Sequence, residues 1–277
     1  MKKYGMKQNL HTHTTFCDGK DTPEQMLLRA IELGFHSIGF SGHANTVMRD
    51  SCEMREKVKA YKAEINRLKK EYSDRIEIFL GTELDLYSEG VIDEGPYEYK
   101  IISVHYVKLL DEYIPYDYSA DRTRDAINRC YGGDAEAFVR DYYSLVANMP
   151  SHISGDIVGH FDLLTKFSEK EADLFDTGAP YYRKYALEAL HAIRERQEIF
   201  EVNTGAIGRG YRTAPYPAPF ILKEMKALKC KLVITSDCHN RDFLDCGYSD
   251  AVELVKSAGF DEIYYLGRSG FYGEKIK

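Results

Sequence analysis

The sequence predicts an α/β protein in which a parallel sheet closes into a barrel. Strand-like and helix-like segments alternate along the chain, which is typical of a parallel sheet with right-handed crossovers. The length of 277 residues suits one such barrel. Near each end, two candidate metal ligands stand two residues apart, His11 with His13 and Asp237 with His239. Each pair projects from one face of an extended chain, so we expect the first and last strands to meet there.

The first half of the chain contains two predicted helices and four predicted strands. The first helix has an N-cap at Thr22, a proline at the next position and Gln25 in a capping box, and Gly34 is expected to end it. Apolar residues spaced four and three apart predict a longer helix from Met54 to Tyr72. The strands are a short one before His11, one at 37–41 leading to His43, one at 76–80 leading to Glu83 and one at 99–104 leading to His105.

The second half begins with a segment, at about 108–133, that is polar, rich in Tyr and Arg, and poor in periodicity. We expect this segment to be an insertion over one end of the barrel, within a single domain that spans residues 1–277. The later elements are predicted to be a helix at 138–149, a strand at 156–159 leading to His160, a helix at 181–196, a strand at 199–202, a helix ending near Leu228, a strand at 231–234, a helix at 251–258 and a strand at 263–266.

Composition and charge argue against several classes of protein. The chain has 37 basic and 44 acidic residues, a formal net charge of -7 and no basic stripe, so a dedicated nucleic-acid binder is not expected. We find no apolar stretch near the ~20 residues that a membrane-spanning helix needs. The first residues lack the apolar core of a secretory signal. The six cysteines form no CxxC pair, which favours a reducing, cytoplasmic compartment.

Candidate metal ligands lie at the carboxyl ends of the predicted strands, where the active sites of parallel barrels are built. Six of the nine histidines belong to this set. One such histidine is as often a core or surface residue, but six at one end of separate elements indicate a metal site. Cys17 and Cys238 flank the site, yet Cys238 is expected to point away, so no cysteine ligand is predicted. The candidate ligands are His11, His13, His43, Glu83, His105, His160, Asp237 and His239.

Imidazole and carboxylate together suit zinc, manganese or iron better than calcium or magnesium. The set exceeds the four ligands of one tetrahedral ion, and Glu83 and Asp237 could each bridge two ions. Asp18 is a further candidate ligand, although an Asp-Gly pair is equally typical of an ordinary turn. We therefore expect two or three divalent transition-metal ions.

In their order, these residues resemble the motifs of the polymerase and histidinol phosphatase (PHP) superfamily of phosphoesterases. The stretches at 103–106, 156–162 and 201–205 look most like its histidinol-phosphatase branch. The match covers nearly the whole chain. Its motifs here are His11-Thr12-His13, Gly42-His43, Gly81-Thr82-Glu83, Ser103-Val104-His105, Gly159-His160-Phe161-Asp162 and Ser236-Asp237-Cys238-His239.

The resemblance implies a distorted (βα)7 TIM-like barrel with three metal ions at its mouth. It also implies hydrolysis of L-histidinol phosphate, a step of histidine biosynthesis, with a metal-bound hydroxide as the nucleophile. Some members of the superfamily carry histidine at the position of Asp18. The implied ligand sets are His11, His13, Glu83 and Asp237 for one ion, Glu83, His105 and His160 for the second, and Asp18, His43 and His239 for the third.

Other residues are candidates for binding phosphate and transferring protons. Arg209 and Arg212 follow the strand at 199–202 and could bind phosphate oxygens, or they could simply be solvated. Arg122 and Arg124 are weaker candidates. The candidates for donating a proton to the leaving group are a metal-site acid such as Asp237, and His239.

Two other functions remain open on the sequence alone. One is a PHP phosphoesterase that acts on phosphotyrosine, a nucleotide or an oligonucleotide. The other is a barrel that binds or senses metal without catalysis, which the size of the ligand set disfavours because structural sites usually hold one ion. The sequence does not predict an oligomeric state.

Overall fold

The computed structural model describes residues 6–44, 57–88 and 95–276. Its twelve strands are β1 (Gln8–Asn9), β2 (Ser37–Phe40), β3 (His43–Ala44), β4 (Glu77–Asp85), β5 (Tyr99–Ser103), β6 (Tyr106–Leu109), β7 (Glu112–Pro115), β8 (Ile157–Val158), β9 (Ile199–Asn203), β10 (Lys231–Thr235), β11 (Glu262–Gly267) and β12 (Gly270–Lys275). Its helices are α1 (Pro23–Glu32), α2 (Val58–Glu71), α3 (Ala120–Tyr131), α4 (Ala135–Asn148), α5 (Pro180–Arg194), α6 (Gly205–Gly208), α7 (Pro219–Ala227) and α8 (Tyr248–Ser257).

A mostly parallel sheet forms the centre of the protein, in the order β1-β2-β4-β5-β8-β9-β10. Its two edges meet just beyond β1 and β10, where Thr12 and Cys238 form a parallel bridge. The amide of His13 donates to the Cys238 carbonyl at 2.8 Å, and the Cys238 amide donates to the His11 carbonyl at 3.1 Å. Seven strands are thus nearly closed into a barrel, which confirms the predicted fold and the predicted meeting of its ends.

Strand β4 is longer than the predicted strand at 76–80, so Glu83 lies within the strand and not after it. The strand stays paired because it has two successive neighbours on one side. β2 pairs with its first half, and β3 pairs with its second half in a register that sets His43 opposite Glu83. On the other side, β5 pairs with it as far as Asp85. Two predicted ligands therefore lie side by side in the sheet.

The first helix begins and ends as predicted. Thr22 accepts a hydrogen bond from the Gln25 amide at 3.2 Å, and the Gln25 side chain accepts one from the Thr22 amide at 2.9 Å. Gly34 follows the helix with a φ of 71°, a conformation that favours glycine. The second predicted helix is observed as α2, which buries Tyr61, Ile65 and Leu68. Met54, its predicted first residue, lies outside the described residues.

The segment at 108–133, which was expected to be an insertion, has regular structure that its poor periodicity did not predict. β6 and β7 form an antiparallel hairpin, and α3 follows directly. Ser119 caps α3 by accepting from the Arg122 amide, and Gly132 ends it at a φ of 62°. The helix was missed because it buries a narrow stripe of small or short residues, among them Thr123 and Ala126.

The predicted last strand, at 263–266, is observed as β11, but it does not extend the barrel sheet. It pairs antiparallel with β12, a strand that the sequence did not predict. The Gln8 side chain donates to the Leu266 carbonyl and accepts from the Leu266 amide, each at 2.8 Å. The hairpin is therefore anchored at the end of the barrel opposite the predicted ligands, where Leu266 joins the interior cluster.

Tyr99 fills much of the barrel interior. Its hydroxyl donates to the Leu10 carbonyl at 2.5 Å. A Cβ atom at Gly81 would lie 2.2 Å from Tyr99 Cζ, and one at Gly39 would lie 2.3 Å from its hydroxyl oxygen. Both positions therefore need glycine for the ring to fit, and the filled interior leaves the functional groups at the carboxyl ends of the strands.

No helix in the described ranges is long and apolar enough to cross a membrane. The five described cysteines are free thiols; Cys52 lies outside the described residues. Cys17 and Cys238 are buried, and the Cys238 thiol bonds to the Asn240 carbonyl.

Candidate metal centre

The structure brings all nine predicted metal ligands together at the carboxyl end of the barrel. His11 and His13 follow β1, His105 follows β5, and His160 follows β8. The remaining five are His43 in β3, Glu83 in β4, Asp18 in the loop between β1 and α1, and Asp237 and His239 beyond β10. Parallel strands deliver these side chains to one rim, as expected from the fold.

Glu83 lies at the middle of the cluster, and its two oxygens face different imidazoles. Oε2 lies 3.2 Å from His11 Nε2 and 3.0 Å from His43 Nδ1. Oε1 lies 3.3 Å from His105 Nε2 and 3.0 Å from His160 Nε2. A carboxylate placed in this way can bridge two cations.

Asp237 faces the first pair of histidines. Its Oδ1 lies 3.3 Å from His13 Nε2 and 3.6 Å from His11 Nε2, while Oδ2 accepts from Arg209 Nη2 at 2.8 Å. The backbone of Asp237 has a φ of 44°, which is uncommon for a residue other than glycine. The bridge between the neighbouring Cys238 and Thr12 restrains the backbone there, and strain of this kind is often found at functional sites.

Asp18 belongs to a third group of donors. Its Oδ2 lies 3.2 Å from His239 Nε2, and its Oδ1 lies 3.7 Å from both His13 Nδ1 and His43 Nε2. The following Gly19 lies so close to the preceding turn that a Cβ there would be 2.4 Å from the Thr14 amide nitrogen. The Asp-Gly pair thus makes a tight turn and also presents the carboxylate to the cluster.

The candidate ligands form four overlapping groups. Within each group, one ligand atom from every residue lies within 4.8 Å of the others. The groups overlap at His11, His13, Glu83 and His160, and of these Glu83 has two carboxylate oxygens with which it could serve two neighbouring ions. The groups are His13, Asp18, His43 and His239; His11, His13 and Glu83; His11, His160 and Asp237; and Glu83, His105 and His160.

Several buried nitrogen and oxygen atoms of the candidate ligands have no hydrogen-bond partner within the described part of the chain. They are His11 Nε2, His13 Nε2, Glu83 Oε2 and His160 Nδ1. Leaving a buried polar atom unsatisfied costs about 1–3 kcal/mol, more for a charged group. Cations would satisfy the first three of these atoms, since both imidazole nitrogens lie close to Glu83 Oε2. Imidazole with carboxylate is a set of ligands that binds divalent transition metals. The residues therefore fit divalent metal ions.

The two central carboxylates are ionised although they are buried. Burial opposes the charge on Glu83, but His11 and His105 outweigh it and hold the pKa of this carboxyl well below its usual value. Burial likewise opposes the charge on Asp237, and Arg209 is the strongest of the groups that hold its pKa well below the usual value. Both residues can thus offer anionic oxygens to a cation.

The imidazoles differ in their protonation. Burial, with repulsion from His239 and His43, lowers the pKa of His13 to about 3, so its ring is neutral and can donate a lone pair. His11 is also opposed by burial, but Glu201 and Glu83 raise its pKa well above the usual value. A cation must displace the proton from such a ring.

A cavity of about 290 Å³ opens over the cluster. Proposed ligands form part of its wall, and the segment around β6 and β7 forms another part with Tyr106, Pro115, Asp117 and Tyr118. Arg209 and Lys166 also line the cavity. It therefore combines an acidic, imidazole-rich wall with two cationic side chains.

Of the arginines proposed from the sequence, Arg209 alone reaches this cavity. Arg212 points elsewhere: its Nη1 donates to the Thr165 carbonyl at 2.9 Å and to the Thr165 hydroxyl at 2.6 Å. Arg124 forms ion pairs with Asp121, Glu171 and Asp173, and Arg122 does not line the cavity. The expectation that Arg212 lies at the site is therefore wrong, because the protein itself occupies its donors.

Four charged residues around the site were not predicted. Two of them, Glu201 and Asp85, lie behind the candidate ligands. The other two, Lys166 and Asp117, line the cavity. Lys166 Nζ donates to the Asp117 carbonyl at 2.6 Å and to its carboxylate at 3.2 Å. A charged residue within the apolar stretch at 199–202 was an available signal for Glu201. Asp85 stands two residues after Glu83, on the same face of the strand.

The model of the PHP domain family matches residues 9–205. The chain belongs to the PHP domain family. Among curated relatives, the histidinol-phosphatase of Bacillus subtilis is 31% identical over 268 residues, covering 88% of this PHP chain and 96% of the relative. A probable histidinol-phosphatase of Deinococcus radiodurans is 27% identical over 259 residues, covering 90% and 92%.

Two solved structures have a similar fold. A Listeria monocytogenes protein proposed to be a histidinol phosphatase has a TM-score of 0.74 at 22% identity, over 88% of this chain and 99% of that chain. Histidinol phosphate phosphatase from Lactococcus lactis, crystallised with zinc, L-histidinol and phosphate, has a TM-score of 0.69 at 21% identity, over 98% of both chains.

The geometric groups agree in part with the ligand sets that the PHP resemblance implied. The set Glu83, His105 and His160 is one of the groups, and the set Asp18, His43 and His239 recurs with His13 added. The remaining set is divided between two groups that share His11.

Proposed function

We propose that this PHP protein is a metal-dependent phosphate monoester hydrolase, a histidinol-phosphatase that converts L-histidinol phosphate and water to L-histidinol and phosphate. The observation that carries the proposal is the cavity, which combines a cluster of candidate metal ligands with two cationic side chains. Near full-length similarity to the Bacillus subtilis histidinol-phosphatase supports the choice of substrate.

Two or three divalent ions would be held by the ligands of the four geometric groups. Zinc is the ion we favour over manganese or iron, because imidazoles dominate the donor set and the Lactococcus lactis relative was crystallised with zinc. Bound divalent cations supply Lewis acidity, which lowers the pKa of water and neutralises charge on phosphate oxygens.

The side chains of this chain would bind and orient the phosphate group. Arg209 offers a planar guanidinium at the cavity wall, and Lys166 offers an ammonium group there. Both suit phosphate oxygens, the arginine through paired hydrogen bonds and the lysine as a point charge. His239, which also lines the cavity, is our candidate for the proton donor to the leaving alkoxide.

We further propose that residues 1–277 act as one domain and that the segment at about 108–133 helps to select the small phosphorylated substrate. Pro115, Asp117 and Tyr118 belong to this segment and line the cavity. α3 packs beside β6 and β7, so the helix supports the hairpin that carries these residues.

A substrate screen with purified protein of known metal content tests the proposal. We expect hydrolysis of L-histidinol phosphate to exceed that of phosphotyrosine and nucleotides, and a chelator to abolish it. Faster turnover of another phosphoester would retain the hydrolase and reject the substrate. Metal-loaded protein that hydrolyses none of these compounds would favour a metal-binding or sensing role.

A further inference from the structure

Glu201 is a buried carboxylate behind the metal cluster, and it does not line the cavity. Its Oε1 accepts from His11 Nδ1 at 2.6 Å and from the Thr235 hydroxyl at 2.5 Å. Its Oε2 accepts from the His160 amide at 2.6 Å and from Asn203 Nδ2 at 2.9 Å. All four partners are donors, so this position requires a group that only accepts.

The contact with His11 determines which nitrogen of that ring can bind a cation. With Nδ1 donating to Glu201, the lone pair lies on Nε2, the atom that faces Glu83 and Asp237. The side chains of His11 and Glu201 are both fully buried, at 0% exposure. A carboxylate in this position fixes the tautomer and orientation of a metal-binding imidazole and increases its basicity.

The second oxygen of Glu201 acts on a different ligand. It holds the backbone amide of His160, the residue whose ring lies between the Glu83 and His105 side chains. His160 Nδ1 has no hydrogen-bond partner among the described residues, so no bond at that atom fixes the ring. The backbone contact is therefore an important restraint on where the His160 ring lies.

Asp85 provides a comparison within the same site. Its Oδ2 accepts from the His105 amide at 2.9 Å and lies 3.2 Å from His105 Nδ1. Both contacts of Asp85 are with His105, and His105 belongs to one of the four groups of candidate ligands. His11 and His160, in contrast, together occur in three of those groups.

We propose that Glu201 is a positioning residue shared by two metal subsites, because one carboxylate fixes the imidazole of His11 and the backbone of His160. The inference rests on the proposed metal centre. Loss of Glu201 should weaken the binding of two ions, whereas loss of Asp85 should weaken the binding of one.

The test compares Glu201→Gln with Asp85→Asn and the control Asp162→Asn. The glutamine amide would turn an N–H donor towards donors whichever way it is oriented. Asp162 is an apt control because it is also buried and accepts from Tyr143, Tyr182 and the Ala218 amide, none of which is a proposed ligand. All three variants are expected to lose stability in urea unfolding of the metal-free protein.

Zinc affinity and stoichiometry separate positioning from stability. Titration of the metal-free proteins with Zn²⁺ against a chromophoric chelator should show about 10- to 100-fold weaker binding of two equivalents in Glu201→Gln. Asp85→Asn should weaken one equivalent, and Asp162→Asn should bind as the wild type does. Co²⁺ spectra should change in Glu201→Gln and remain unchanged in Asp162→Asn.

Three results would overturn the inference. Unchanged zinc affinity in Glu201→Gln, with stability lost as in Asp162→Asn, would show a purely structural role. Weakening of one equivalent alone would reject the shared role. A wild-type protein that binds no zinc, manganese or iron would reject the metal centre itself. Should Glu201→Gln fail to fold, Glu201→Asp replaces it, and unchanged zinc affinity in this shortened variant also counts against the proposal.

Discussion

At the scale of single residues, Glu83 shows how the backbone prepares a site for more than one ion. It is paired in the sheet with His43 on one side, and its two oxygens point to separate sets of imidazoles. Ser103 donates to Oε1 at 2.8 Å and so restricts rotation of the carboxylate. The register of the sheet fixes this orientation of Glu83. The orientation is therefore maintained although burying a charged carboxylate is unfavourable.

We predict that His13→Ala and Asp237→Ala each reduce phosphatase turnover to background while the fold is retained. Each change removes one candidate metal ligand: His13 Nε2 lies beside the Glu83 carboxylate, and Asp237 Oδ1 lies beside His13 Nε2. Steady-state assays and circular dichroism melts measure the two effects. His191→Ala is the matched control, because His191 is exposed on α5 and pairs with Glu224. Robust hydrolysis by both site variants would contradict the assignment of the cluster as the catalytic centre.

We also predict that zinc affinity falls as the pH is lowered through neutrality. Burial opposes the charge on the His11 and His105 rings, but Glu201 and Glu83 raise the pKa of His11 well above its usual value, and Glu83 and Asp85 do the same for His105. A raised pKa means that the metal-free protein keeps these protons to a higher pH, so zinc must displace them. Affinity should change about tenfold per pH unit for each proton displaced.

Zinc titrations at several pH values measure this dependence, and calorimetry in buffers of different ionisation enthalpy counts the protons released. Affinity that is independent of pH between about 6 and 8, where rings with a raised pKa still carry their protons in the metal-free protein, would contradict the prediction.

The clustering of the candidate ligands was predictable because histidine is rare in this chain and its positions coincided with the ends of predicted strands. Glu201 was not assigned a role, although it lies in a predicted strand, since its function depends on the imidazole across the barrel. Lys166 was missed for a different reason. It lies in a turn six residues after His160, and a turn has no helical or strand periodicity from which the direction of its side chain could be predicted.

At the scale of elements, the loop after β9 separates two arginines that look equivalent in sequence. α6 and the turn after it direct Arg209 to Asp237, whereas Arg212 extends towards Thr165 and stacks on Tyr216. The spacing of three residues, with Gly210 at a φ of 72° between them, turns the two side chains apart.

We therefore expect different effects from Arg209→Met and Arg212→Met. Loss of the Arg209 guanidinium removes charged hydrogen bonds to phosphate and should lower kcat/KM by about 10- to 100-fold. Arg212→Met should lower the free energy of unfolding by about 1–3 kcal/mol, because the charged hydrogen bonds from the guanidinium to Thr165 and to the Ala214 carbonyl are lost. It should change kcat/KM little. Kinetics and urea unfolding of both variants measure this contrast, and the reverse pattern would contradict it.

Helix α3 shows the limit of reading elements from periodicity. Its buried positions are Thr123, Ala126 and Ile127, which make a weak apolar pattern among charged residues. Burial of this face depends on contact with β6 and β7, a tertiary feature that a local pattern does not contain. The ends of the helix were more informative, since Ser119 and Gly132 are ordinary capping residues.

At the scale of the whole molecule, the barrel was predictable because alternating strands and helices permit few topologies. The paired ligands near both termini added the closure, which the bridge between Thr12 and Cys238 confirms. The final strand was predicted at 263–266, but its partner was not, because an apolar strand pattern does not specify the strand with which it pairs. β12, which pairs with β11, is largely exposed and carries no apolar run that would have revealed it.

Closure of the barrel leads to our last prediction, that metal ions stabilise the whole fold. The edges of the sheet are joined by hydrogen bonds between His13, Cys238 and His11, close to the atoms proposed to bind metal. Ions shared by ligands from β4 and from both edges would crosslink the barrel at this seam. Ligand binding to the native state adds about 2.7 kcal/mol at a free concentration of 100 Kd for one site.

Urea unfolding with zinc and with a chelator measures this stabilisation, and hydrogen exchange of the Cys238 amide locates it. We expect the chelator to lower the unfolding midpoint and to speed exchange at Cys238, whose amide donates across the seam to His11. Asp237→Ala should reduce the stabilisation by zinc, while Arg212→Met should retain it. If zinc leaves both the midpoint and the exchange rate unchanged in the wild type, the ions do not bind across the seam, because ligands from both edges would couple binding to closure.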